Sequence, residues 1–373
     1  MNRAKIFLFL GVLYSFIPFE ASSSRFTLAI RLLILTIFTT YIYITEKIDG
    51  DLYSTIILLL ILIFIYFTSL ESLSLYLFIF ISSILSGYII ANGVYKSREL
   101  SQNFIFVWEW LIIFSIVMLF LQQLTFLLTG DILKLHESIF PLSRARVEII
   151  QQLHLIRFGG IYIEPGTYAN FIYLFLVIYM VIKENFNPLL ITIGSLSIIS
   201  TMSVWGMLFG SYLLIISIFI NIKNLPFIKK ILLLSILITS SIYGTNALTN
   251  SSAFKYAEMK LEMKSDSGHS KVIVANRFKQ SIEDYAVIGD GFNPKIVLNV
   301  TAPQDAGFIL NLSIVFGILF STLILTIYSI NILKKRGFLI LIASLPILIS
   351  KIFYWEFAFW LLFFISFRGN LKN

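Results

Sequence analysis

Runs of about twenty apolar residues recur along this chain with short polar breaks between them, and a helix of about that length crosses a hydrocarbon core of about 30 Å. A water-soluble domain would have to hide every one of those runs from solvent. Composition excludes that: 58% of 373 residues are hydrophobic, 13% are charged and the mean hydropathy is +0.90, far too little polar surface for a soluble fold. The runs fall near 5–20, 26–44, 53–69, 73–93, 103–129, 167–182, 187–202, 204–222, 229–246, 307–331, 337–350 and 352–367. Only Ser203 separates two of them, so the expected number of spans is ten to twelve. The first run has Arg3 and Lys5 ahead of it and Ala21-Ser-Ser-Ser after it, in the manner of a signal peptide. With eleven further runs behind it, we expect it to stay uncleaved as a first span.

Twelve spans with the N-terminus inside divide the short-segment cations sharply. Arg3, Lys5, Lys47, Lys96, Arg98, Lys183, Lys223, Lys229, Lys230, Lys334, Lys335, Arg336, Arg368 and Lys372, fourteen in all, fall inside; two, Arg25 and Lys351, fall outside. That asymmetry is the positive-inside signature. It predicts cytoplasmic termini and puts the long polar loops 130–166 and 247–306 on the outer face. The same explanation absorbs the net charge of +8, which is spread over short loops and does not form a nucleic-acid surface. The chain has no cysteine, which excludes disulfides and thiolate chemistry. Its 36 Phe and 18 Tyr suit interfacial belts and sugar-facing grooves. Within the runs, Arg31 and Glu109 are notable charges near span ends, within snorkelling reach of water. No internal repeat is visible, and no line of midplane acids marks a proton path.

Candidate chemistry concentrates in the outer loops. Over 142–157, Val147, Ile150, Leu153 and Ile156 form one apolar stripe, predicting an amphipathic helix on the membrane surface that carries Arg144 and Arg146. Those arginines meet either lipid phosphates or a lipid-linked pyrophosphate. Next comes Arg157-Phe-Gly-Gly-Ile-Tyr-Ile-Glu164-Pro165: a cation, a flexible turn and a carboxylate at the lip of a span. Charge at that depth is costly without a partner or access to water, so the segment is either a site or a headgroup anchor. In the second loop, Asn276-Arg277-Phe278 precedes Ile288-Gly289-Asp290-Gly291-Phe292, and Asp305 sits at the mouth of the following span much as Glu164 does. Asp49-Gly-Asp51 matches a metal-holding Asp-x-Asp pattern, but the charge test puts it in a short inner loop, where solvated turn acids are expected. His136, His154 and His269 are too scattered for a metal set, and neither a phosphate-binding loop nor a nucleophile elbow occurs.

Arg157-x-x-Gly160-x-x-x-Glu164-Pro165 before a span resembles the O-antigen and capsular polysaccharide polymerases (Wzy-type) and the wider O-antigen ligase superfamily. So does Arg277 followed by Gly289-Asp-Gly291-Phe and a later span with Asn311 and Gly317. The ligase branch shows a His beside an Asn where this chain has Gln304-Asp305, which favours a polymerase; the spacing from Arg277 to Gly289 is one residue longer than the Arg-x10-Gly pattern of some polymerases. The resemblance implies an all-α polytopic membrane protein, GT-C-like, a single transmembrane domain over 1–373 with about twelve helices. It further implies a metal-independent glycosyltransferase that moves a growing glycan from one polyprenyl pyrophosphate onto another lipid-linked repeat unit. Lipid-linked oligosaccharide, membrane lipid and a chain-length regulator protein are the implied partners, with no cofactor and no nucleic acid. Arg157 and Arg277, then Arg144 and Arg146, are the candidates for the pyrophosphate, because guanidinium groups bind phosphate oxygens in a bidentate fork. Each such donor is worth about 3–4 kcal/mol in a site shielded from water. Glu164 or Asp305 is the candidate general base or acceptor-orienting group. The alternatives are a ligase passing finished glycan to another acceptor, and a lipid-oligosaccharide flippase or other transporter.

Overall fold

The computed structural model describes residues 35–37, 39–44, 52–69, 75–96, 98–139, 148–150, 155–183, 186–222, isolated positions between 274 and 291, 307–352 and 356–368. These are mostly helical, and four helices are long and apolar enough to cross a membrane: Leu77–Lys96, Arg98–Thr129, Pro165–Ile182 and Ile318–Arg336. The protein is a membrane protein. We label the helices α1 (Leu52–Ser69), α2 (Leu75–Lys96), α3 (Arg98–Thr129), α4 (Leu135–Ile139), α5 (Pro165–Ile182), α6 (Pro188–Ser200), α7 (Val204–Ile222), α8 (Phe308–Phe316), α9 (Ile318–Arg336), α10 (Phe338–Ile349) and α11 (Phe357–Ser366).

Helix α5 is the hub. Pro165 starts it, since a first-turn proline has its φ preset and needs no N–H partner. Almost every residue from Tyr168 to Ile182 is buried, against α3, α6, α7, α10 and α11. Helix α3 shows the membrane pattern most plainly. Phe104, Trp108, Leu111, Ser115 and Leu119 are buried, while the opposite stripe Phe106, Trp110, Ile113, Val117, Phe120 and Leu124 is exposed and just as apolar. An exposed apolar stripe of that length marks a surface made for lipid. Glu109, conspicuous inside an apolar run, is paired: Lys183 Nζ lies 2.7 Å from its Oε1, and the Tyr179 hydroxyl donates to the same oxygen at 2.9 Å.

Side-chain contacts fix which helix ends share a face. Arg336, ending α9, donates from Nη2 to the Tyr95 hydroxyl near the end of α2 at 2.9 Å, and Arg368, just past α11, donates to Asn92 Oδ1. The ends of α2, α9 and α11 therefore form one basic end. At the opposite, loop end lie the C-terminus of α3, α4 and the start of α5. The α6–α7 turn joins them there, since Gln123 Nε2 of α3 donates to Ser200 O at 3.0 Å.

Three of the apolar runs form helices that are short or broken. The run 307–331 breaks at Gly317, whose φ of 89° separates α8, with 9 residues, from α9. Helices α10 and α11 have 12 and 10 residues, about 18 and 15 Å at the usual rise, each shorter alone than a hydrocarbon core of about 30 Å. Both meet the basic end, through Gly337 and Arg368. Phe308 N–H, the start of α8, donates to Ser350 O, just past α10, at 3.0 Å. Pro346 interrupts α10 and removes the donor for Ile342 O; the Tyr212 hydroxyl donates to that oxygen at 3.0 Å and the Tyr173 hydroxyl to Ala343 O at 2.6 Å. Lipid cannot satisfy such backbone groups.

The surface helix suggested over 142–157 is a correction. Where described, that stretch is an antiparallel ribbon, β1 (Glu148–Ile150) with β2 (Leu155–Arg157), in the register Glu148↔Arg157, Ile149↔Ile156, Ile150↔Leu155. The three-residue apolar spacing suits a helix. The β-branched Ile149, Ile150 and Ile156, placed so that Glu148 and Arg157 pair, suit a ribbon better.

Candidate functional site

Arg157 ends β2, and the segment from it to Pro165 is bound down onto the loop end of α3. Phe158 packs on Phe126 of α3, ring centroids 5.6 Å apart. Gly160 N–H donates to Gln122 Oε1 at 2.8 Å, and Gln122 Nε2 donates to Leu133 O at 2.7 Å, so one amide holds the turn to the chain leading into α4. The Tyr162 N–H closes the turn on Gly159 O at 3.0 Å. Gly160 has φ of 60°, and a Cβ there would lie 3.3 Å from the Leu119 backbone, so the turn needs glycine for both its conformation and its closeness to α3. The Tyr162 hydroxyl lies 3.5 Å from Ser115 Oγ, and its ring meets Tyr168 edge-on at 5.4 Å. Burial pushes the Tyr162 hydroxyl above the ordinary tyrosine value, so it stays protonated.

His136 lies beneath this turn and is fully buried. Its Nδ1 is 2.7 Å from Ile161 O; a carbonyl only accepts, so Nδ1 carries the hydrogen and donates. Burial lowers the imidazole pKa, while the bond to Ile161 and the charge of Glu137 act in the opposite direction.

Glu164 caps α5 in an extended conformation, φ −147° and ψ 157°, without a side-chain bond to the helix N–H groups. Thr167 Oγ1 donates to its Oε1 at 3.3 Å, and the residue is half-buried. Arg157, by contrast, is only 4% exposed. The sequence suggests an arginine reaching into water; the fold instead encloses it. Arg144, Arg146, Arg277 and Asp305 lie outside the described residues, as do Arg31 and Asp49-Gly-Asp51.

The glycines after Arg277 do have a described place. Gly291 N–H donates to Val315 O at 2.9 Å, and a Cβ on Gly289 would lie 2.4 Å from Ile314 O. The second loop thus docks its Gly-x-Gly directly on the end of α8, beside the Gly317 break.

No family model, curated protein or solved structure matches the chain.

Two buried groups escape the sequence reading. His136 has no local signal, because only the fold brings it to Ile161. Glu356, 2% exposed at the start of α11, did leave one: an acid near the start of the apolar run 352–367. An ionisable residue at that depth is a functional candidate by default.

Proposed function

We propose that this protein is a membrane glycosyltransferase that polymerises polyprenyl-pyrophosphate-linked repeat units, working at its loop end. The supporting observation is the Arg157–Pro165 segment: held by Gln122, His136 and Tyr162, it sets a buried arginine and a half-buried Glu164 in one short turn at the loop end. In this reading Arg157 grips the departing pyrophosphate, with Arg277, Arg144 and Arg146 as further donors. Glu164 or Asp305 takes the proton from the acceptor hydroxyl. A buried, ordered guanidinium is a preorganised donor whose charge counts for more than in water. Substrate access then requires a movement that uncovers Arg157.

The basic end, with Lys96, Arg98, Lys183, Lys334, Lys335, Arg336 and Arg368, is assigned to the cytoplasm by the positive-inside rule. The loop end then faces outward from the cytoplasmic membrane. The twelve-span, GT-C-like arrangement belongs to the same proposal. The short pair α10 and α11 leaves its sidedness unchanged, because both helices meet the basic end.

The test is purified protein with a synthetic polyprenyl-pyrophosphate repeat unit and no added metal, followed for a product ladder. Arg157→Lys should fold normally yet lose most of the rate, since lysine keeps the charge and loses the fork. A normal rate in that variant rules out the clamp. A second reading, a lipid-oligosaccharide transporter, is favoured by the broken α8–α9 helix and the buried Glu356, features common at transport sites. Deletion distinguishes them: a lost polymerase leaves single-repeat glycan, whereas a lost transporter traps the lipid-linked unit on the inner face.

A further inference from the structure

We propose that the basic end holds a specific site for the phosphate of an anionic glycerophospholipid, built by Arg336, Arg368, Tyr95 and Asn92. Two guanidinium groups from different helices meet α2 within one turn of each other. Arg336 Nη2 donates to the Tyr95 hydroxyl at 2.9 Å, and Arg368 Nη2 donates to Asn92 Oδ1. Residues 95 and 336 are far apart in sequence, so this convergence is a product of the fold and not of a local basic run. Both arginines are half-buried, which fixes them more firmly than a snorkelling surface chain. The Tyr95 hydroxyl accepts from Arg336 and keeps its own hydrogen to donate to a third oxygen. Arg336 Nε and Nη1 are enclosed, so a phosphate diester meets Arg336 Nη2, the Arg368 guanidinium and the Tyr95 hydroxyl.

Two features favour a phospholipid over a free anion. Lys334 and Lys335 are exposed in the same turn as Arg336, giving an electrostatic approach along the headgroup layer. From that turn the exposed apolar stripe Leu333, Ile330, Leu323 and Leu319 runs along α9, with Phe338 63% exposed at its foot. A headgroup seated on the arginines lays its acyl chains along this stripe. The assignment does not depend on which side of the membrane the basic end faces, nor on the reaction at the loop end.

The test uses the full-length protein in neutral detergent, with bound lipid counted by native mass spectrometry against added phosphatidylglycerol or phosphatidylcholine. Phosphatidylglycerol should bind the wild type at least tenfold more tightly. The pair Arg336→Gln and Arg368→Gln should lose that preference; Lys334→Gln with Lys335→Gln, the same change in charge, should keep it within about twofold. Arg336→Lys covers the case where the double arginine variant does not fold, and should weaken binding several-fold at unchanged melting temperature. Equal losses in the arginine and lysine pairs, or wild-type affinity in Arg336→Lys, overturn the site. So does displacement of the lipid by millimolar inorganic phosphate, which identifies a free-anion site, or binding of polyprenyl phosphate but not phosphatidylglycerol.

Discussion

At the scale of single residues, His136 carries the clearest consequence. Unfolded, a histidine takes up its proton near pH 6.5; folded, burial holds His136 neutral to lower pH. Between those values the unfolded chain binds more protons, so acid favours unfolding. The stabilisation is complete above about pH 6.5 and is lost as pH falls towards the folded value. Melting temperature in detergent should therefore drop between about pH 7.5 and pH 5.5, and His136→Asn should flatten that part of the profile. An unchanged slope in the variant assigns the acid sensitivity elsewhere. Protonation at Nε2 keeps the Nδ1 bond to Ile161 O but places an enclosed charge beneath the turn after Arg157, so activity should fall together with stability.

The elements show where sequence patterning runs out. Apolar spacing over 142–157 fits a helix, yet pairing with a second segment is a property no single stretch displays. Hydropathy likewise finds the runs 337–350 and 352–367 without showing that only 12 and 10 residues of them are helical. Pro346 stands inside the run 337–350 without breaking its apolar pattern, and the donors that compensate it come from other helices, as Tyr212 and Tyr173. Tyr212→Phe should leave Ile342 O without that donor and cost about 1 kcal/mol, the usual size of an interhelical hydrogen bond in a membrane. Steric-trap unfolding or a denaturant titration in mixed micelles reads it. No loss of stability means that Ile342 finds another donor.

Across the whole molecule, the packing divides helix ends into two faces, and the charge bias predicts which of them is cytoplasmic. Because the chain lacks cysteine, single cysteines can be introduced without removing any. In intact cells, Lys134→Cys at the loop end should react with a membrane-impermeant maleimide. Lys335→Cys should react only after permeabilisation. Labelling of both from one side contradicts the fold, and the reverse pattern contradicts the orientation.

The chain itself determined that this is a membrane protein, that its short-segment cations are lopsided, and that Arg157–Pro165 is an unusual stretch. Those follow from composition and from neighbours a few residues apart. Only the tertiary structure decided that Arg157 is enclosed, that His136 meets Ile161 across 25 positions, and that Tyr95 meets Arg336 across 241. Burial and long-range hydrogen bonds depend on which surfaces pack together. In a chain apolar on nearly every face, hydropathy gives little indication of which faces those are.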